Sequence, residues 1–312
     1  MPTAHGRSAI LNCNMSSQKS PVKIGDPAPD FRLQSLDGTP LCLSDYRGKR
    51  VLLFLWASWC GCREQLVAWQ SFYARHRETG FELIGVAMDA AYPDKARSYV
   101  ESAKPAFANA IDSVEGLWDL LGFDLLPSGF YVDENGIIRY LKIGGFDIRD
   151  NTTMRIMQDL LAEKWSKKAP KFIPKPKLPL KRTITQLAAQ VKSTSRGSEK
   201  RLRLADLLFE SGQFRKAARE YDTVLLSQPN RCKALFARGV VSLRNGDTAT
   251  TLEYWRKALV LNPNSWIIRK QIWALTHPGQ FYPSINYEWQ QEQMRREEWE
   301  VVVQQKAKAQ KR

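Results

Sequence analysis

The stretch Val51-Leu-Leu-Phe-Leu-Trp-Ala-Ser-Trp-Cys60-Gly-Cys-Arg-Glu-Gln65 changes character at its two cysteines. Val51 to Leu55 is a continuous apolar run of strand length, the pattern of a central strand covered on both faces. After Cys62 the period lengthens. Leu66, Trp69, Tyr73 and His76 recur at three and four residues, which predicts one stripe of a helix ending near Gly80. The cysteines therefore stand where a buried strand hands over to a helix. A thiolate there is stabilised by unpaired backbone N–H groups and the positive end of the helix dipole, which lowers its pKa. A second thiol one turn into the helix can resolve a mixed disulfide.

Working outward, Phe31 and Leu33, a turn at Asp37-Gly38 and Leu41 to Leu43 read as a β-rich entry. Glu82 to Met88 is a second buried strand, and Asp94 to Ser102 and Val114 to Leu121 read as helices. Gly129 to Val132 and Ile137 to Ile143 are strands joined across Asn135-Gly136, a strong hairpin turn. Strand, helix, strand, helix and hairpin in that order predict a mixed sheet flanked by helices.

Residues 23–146 resemble the thioredoxin superfamily, and within it the TlpA/ResA-type thiol–disulfide oxidoreductases and the broader alkyl hydroperoxide reductase/thiol-specific antioxidant group. The resemblance rests on Ile24-Gly-Asp-Pro-Ala-Pro-Asp-Phe31, Leu43-Ser-Asp-Tyr-Arg-Gly-Lys49, Trp56-Ala-Ser-Trp-Cys60 and Pro127-Ser-Gly-Phe-Tyr-Val-Asp133. It implies a redoxin domain with Cys60 as attacking nucleophile and Cys62 as resolving thiol. Trp59 would shield the pair across Gly61. Pro127 would be a cis-proline opposite the cysteines, and the backbone of Leu126, Pro127 and Ser128 would pair with an extended substrate.

Two departures from that family bear on the chemistry. Its motif has two residues between the cysteines, whereas here only Gly61 stands there. A disulfide across one residue is forced off ideal geometry and is more readily reduced, so the expected catalyst is an oxidant or isomerase and not a strong reductant. Phe54 occupies the position where many thioredoxins carry a buried Asp, so no internal base is expected for the resolving thiol, with Glu64 in a supporting role at most. A peroxidase, the rival within this fold, needs Pro and a hydroxyl where this chain has Leu53 and Ala57. A Cys-Gly-Cys pair suits Cu(I), but His76 reads as packing while His5 and His277 lie outside the domain. Zinc lacks a ligand set, no phosphate loop is present, and no metal or other cofactor is expected.

The second half repeats itself at a period of 34. Gly212 matches Gly246, Ala205 matches Gly239, Tyr221 matches Trp255, and Pro229-Asn230 matches Pro263-Asn264. Small residues where helices cross, followed by large ones and a closing Pro, are what paired antiparallel helices demand. Residues 198–265 resemble tetratricopeptide repeats. That resemblance implies a groove for a peptide or helix, hence a protein partner beside the thiol or disulfide client. Trp266 to His277 reads as a further helix, Phe281 to Trp289 as a segment folding back over it, and Glu288 to Gln305 as a charged helix. The Trp255, Trp266 and Trp273 stripe reads as helix-stack core.

The formal charge of +15 is concentrated. Residues 164–203 carry 13 Lys and Arg against one acid, Glu199, and so supply +12. Without helix period or interleaved aromatics, that run reads as a solvated basic linker and not as a nucleic-acid surface. Pro170, Pro174, Pro176 and Pro179 favour an extended, semi-rigid spacer. The expected organisation is a leader over 1–22, a redoxin domain over 23–160, a linker over 161–197 and a helical-repeat domain over 198–312. Each domain is expected to fold alone. No apolar run reaches the length of a spanning helix, and the first residues lack a secretory layout, so the reading is a cytoplasmic protein starting at Met1 or Met15. Five cysteines in 312 residues are no disulfide scaffold. Cys42 and Cys232 read as inert packing residues. The functional reading is a thiol–disulfide oxidoreductase with a recruiting helical module, the alternatives being a non-catalytic scaffold on a degenerate thioredoxin domain or a thiol peroxidase.

Overall fold

The computed structural model describes residues 21–114, 116–163, 179–193 and 199–297. The leader over 1–22, save its last two residues, and the Lys/Pro run over 164–178 lie outside the described residues, as does the charged helix beyond 297.

A small hairpin, β1 (Arg32–Gln34) and β2 (Pro40–Cys42), precedes the main sheet. That sheet contains β3 (Arg50–Trp56), β4 (Phe81–Ala87), β5 (Ala108–Ile111), β6 (Ser128–Val132) and β7 (Ile138–Lys142) in the order β5-β4-β3-β6-β7. β3 and β4 run parallel, as do β4 and β5, whereas β6 is antiparallel to both β3 and β7. Central β3 is buried from Val51 to Trp56, as its unbroken apolar run requires.

Three helices follow strands: α1 (Leu66–His76), α2 (Pro93–Ala103) and α3 (Gly116–Leu121), with α4 (Asn151–Ala162) closing the sheet domain. Trp69 of α1 meets Phe54 at 5.3 Å and Phe146 at 5.2 Å between ring centroids. α4 lies on the same face, where the Tyr131 hydroxyl donates to the Leu160 carbonyl at 3.1 Å. On the opposite face Phe130 packs on Phe123. This is the thioredoxin fold expected from the sequence, with β5 and α4 added to the elements read there. His76 packs on Phe72, with ring centroids 4.5 Å apart.

The rest is helical: α5 (Leu180–Val191), α6 (Glu199–Glu210), α7 (Phe214–Ser227), α8 (Cys232–Arg244), α9 (Thr248–Leu261) and α10 (Trp266–Thr276). α7 and α9 begin and end 34 residues apart, at 214 and 248 and at 227 and 261. Gly239 explains why the repeat alternates small and large residues: a Cβ there would lie 2.6 Å from the Trp255 ring, which stacks on Phe236.

Two expectations need correction. Leu180–Val191 is a helix, not an extended spacer, because Leu180, Ile184, Leu187, Ala188 and Val191 return at three and four residues and pack on the core. The two halves are also not merely tethered. Arg231 pairs with Asp119 at 3.1 Å, Arg244 donates to the Ala90 carbonyl, and buried Gln271 accepts the Ala91 N–H at 3.0 Å. Charged and amide groups of the helical half thus satisfy one carboxylate and two backbone groups of the sheet half, a pairing of distant residues that no local pattern announces.

Candidate active site

Cys60 caps the turn Gly61–Gln65, which runs directly into α1, and its sulfur accepts the Cys62 N–H at 3.4 Å. The Leu126–Pro127 peptide is cis, and the Leu126 carbonyl stands 4.0 Å from Cys60 Sγ. Gly61 lies between the two thiols. Trp59 is buried, with its indole N–H donating to the Met88 carbonyl at 3.0 Å. Ser128 is buried and its hydroxyl is turned into the loop, donating to the Leu125 carbonyl at 2.7 Å. The structure therefore brings Trp59, Cys60, Gly61, Cys62, Leu126 and Pro127 to one end of the sheet, while the Ser128 hydroxyl is engaged elsewhere.

The two thiols differ in proton affinity. Cys60 is drawn down to about 7 by the hydrogen bond from the Cys62 thiol, by the positive charge of Lys270 and by the Cys62 N–H, against burial and the charge of Asp89. Cys62 is pushed well up by burial, by the hydrogen bond it gives to Cys60 and by that neighbour's charge. The first sulfur is thus the stronger thiolate and the second the holder of the proton. Glu64 is exposed. Cys42 and Cys232 are buried, and burial pushes the Cys232 thiol up to about 12, an inert state.

Sequence reasoning missed Asp89. It lies just past β4, fully buried, and accepts both the Ser58 N–H at 2.9 Å and the Ser58 hydroxyl at 2.5 Å. Burial raises its carboxyl to about 7. The position at Phe54 is apolar as read, but a buried carboxyl lies beside the cysteine loop, just past the neighbouring strand, and holds Ser58. Its signal was present in Val86-Ala-Met-Asp89, an acid at the carboxyl end of a buried parallel strand, where α/β sheets gather their functional groups.

Also missed was Arg63. The residue is only 5% exposed, and its guanidinium donates to the carbonyls of Ser58 at 2.7 Å, Phe281 at 3.1 Å and Pro283 at 2.6 Å. The segment expected to fold over α10 does pack there, Trp289 lying edge-on to Trp273. It also continues onto the cysteine loop. The Tyr282 hydroxyl lies 2.7 Å from the Ser58 hydroxyl, and a Cβ at position 61 would collide with the Tyr287 hydroxyl. Cys60 is 8% exposed and Cys62 4%.

A mixed sheet with its helices, two thiols at a helix start and a cis-proline peptide against the first of them define a thioredoxin-like redoxin domain. Residues 24–141 match the model of the AhpC/TSA family, and the chain belongs to that family. Among its relatives, the thiol-disulfide oxidoreductase ResA of Geobacillus thermodenitrificans is 30% identical over 136 residues, spanning 43% of this chain and 77% of that protein. ResA of Bacillus cereus is 32% identical over 129 residues, spanning 40% and 73%. A solved Chlorobium tepidum chain described as a DsbE-type thiol:disulfide interchange protein is 30% identical with a TM-score of 0.42, covering 45% of this chain and 99% of that one. No helix among the described residues is long and apolar enough to cross a membrane.

Proposed function

We propose that the protein exchanges thiols and disulfides through Cys60 and Cys62. The observation that carries this reading is the asymmetric pair itself, a Cys60 sulfur at a helix start beside a buried, proton-holding Cys62. In the reductive direction the Cys60 thiolate attacks one sulfur of a client disulfide. That bond breaks, a mixed disulfide forms, and the departing client thiolate takes up a proton. Cys62 then loses its proton and attacks the Cys60 sulfur. The second client thiolate leaves, and Cys60 and Cys62 remain joined. The client has gained two electrons and the dithiol has lost them. In the oxidative direction, which the single intervening Gly61 favours, the same steps run backwards. Leu126 and Pro127 would present backbone to the client, and Trp59 would wall the pair.

The helical half is proposed as a tetratricopeptide-type module over 198–312 that takes a peptide or helix of a protein partner, a reading supported by the 34-residue spacing of α7 and α9. The small cysteine count favours a reducing compartment such as the cytoplasm. A second reading, a non-catalytic scaffold, draws support from the covered state of the cysteines. Full-length Cys62→Ser tests the first against the second. Exchange predicts proteins covalently trapped on Cys60 in non-reducing extracts and released by reductant. Partners retained without any covalent trapping would leave only the scaffold.

A further inference from the structure

Resting on that reading, we propose that Phe281–Tyr287 is an intramolecular cover over the dithiol, latched by Arg63, which a client must displace before Cys60 can react. In-line exchange needs a client sulfur within bonding reach of Cys60 Sγ, and Cys60 is only 8% exposed in the docked chain. Tyr287 stands directly on Gly61, and only a residue without a Cβ admits its hydroxyl there.

Arg63 is the latch because of what it binds. Two of the three carbonyls that satisfy its buried guanidinium, those of Phe281 and Pro283, belong to the cover. A charged group kept from water requires such partners. When the cover leaves, the same N–H groups become available to other main-chain carbonyls. Tyr282 fills a built pocket between those two anchors. Its ring is 5.7 Å from that of Tyr92, Lys95 stands 5.3 Å from its centroid, and its hydroxyl reaches Ser58. The cover therefore engages the redox half as a bound peptide would, through main-chain carbonyls and one aromatic side chain. The client class that replaces it is an extended protein segment carrying an aromatic residue. Being tethered, the cover competes at an effective concentration on the order of millimolar, so brief or weak encounters leave the dithiol untouched.

Alkylation of Cys60 by iodoacetamide needs a thiolate and access but no client, so it separates the cover from the exchange reading. The rate is followed by peptide mass spectrometry across pH on the full-length chain. Its high-pH plateau reports access and its midpoint reports the proton affinity of Cys60. Tyr287→Ala, at a residue 55% exposed, and Tyr282→Phe, which keeps the ring, should each retain the fold. A plateau raised threefold or more in either variant is the expected result, with the Tyr287→Ala effect the larger. Plateaus less than threefold above the parent in both variants overturn the cover. Trapping by Cys62→Ser with no change in these plateaus would leave exchange standing without the cover. Raised plateaus with no trapping would leave the cover standing without exchange.

Discussion

The lowered proton affinity of Cys60 comes from neighbours that can be removed one at a time. The Cys62 thiol is the largest of them, followed by Lys270 on α10. Cys62→Ala should therefore move the alkylation midpoint of Cys60 upward from about 7, and Lys270→Met should move it upward by less. Asp89 acts in the opposite sense, so Asp89→Asn should lower that midpoint. Asp89 also imprints a pH dependence on stability. Its carboxyl titrates near 3.8 in the open chain and is raised to about 7 by burial. Its contribution is thus complete below the unfolded value and is lost as the pH rises through the folded one, because burial then confines a charge. Between pH of about 4 and about 7 the parent should lose stability relative to Asp89→Asn, as denaturant titrations at pH 4.5 and 7.5 would show. The cysteines, Gly61 and Pro127 could be read from the chain because each sits in a local pattern. Asp89 left only the general signal of an acid at the end of a buried strand and Arg63 left none, since their partners Ser58, Phe281 and Pro283 are brought near by the fold alone.

At the scale of elements, two glycines mark where packing leaves no room. A Cβ at Gly129 in β6 would run into the Phe146 ring, itself against Trp69. Gly129→Ala should cost about 1–3 kcal/mol, the usual range for overpacking a full core. Gly239→Ala sets two effects against each other. The helix gains about 1 kcal/mol of propensity, while the buried Trp255 ring and the Thr251 carbonyl, 3.2 Å from the new Cβ, have nowhere to go. The collision wins, and urea midpoints should fall for both variants. The elements that escaped notice did so for identifiable reasons. β5 is four residues, Ala-Asn-Ala-Ile, with little strand character of its own, and exists because β4 offers it a parallel edge. In α5 the stripe from Leu180 to Val191 was hidden by reading Lys181, Arg182 and Lys192 as part of one basic run. The strongly periodic segments, β3 and α1 above all, were legible because burial on both faces or on one stripe leaves its period in the residues themselves.

Across the whole molecule, the halves behave as docked units. Gln271 is fully buried, and its carbonyl serves an N–H of the other half. Gln271→Ala leaves that N–H at Ala91 without a partner, at a cost of about 1–3 kcal/mol. Unfolding followed by far-ultraviolet circular dichroism and by tryptophan fluorescence should coincide in the parent and separate in this variant. The sequence pointed to two domains, which their composition makes plain. It did not point to their docking, because Arg231, Arg244 and Gln271 look like ordinary helix residues until Asp119, Ala90 and Ala91 are placed beside them. One link between the halves has a polarity. With Asp89 ionised, Ser58 gives its hydroxyl hydrogen to the carboxylate and Tyr282 gives its own to Ser58. With Asp89 protonated, the carboxyl becomes the giver, the Ser58 hydrogen swings toward the phenol, and the phenolic hydrogen must find a new acceptor. The Asp89 carboxyl, the Ser58 hydroxyl and the Tyr282 phenol thus form one hydrogen-bonded row, so the charge on a single buried carboxyl of the sheet half sets the direction of the contact that the segment after α10 makes with it.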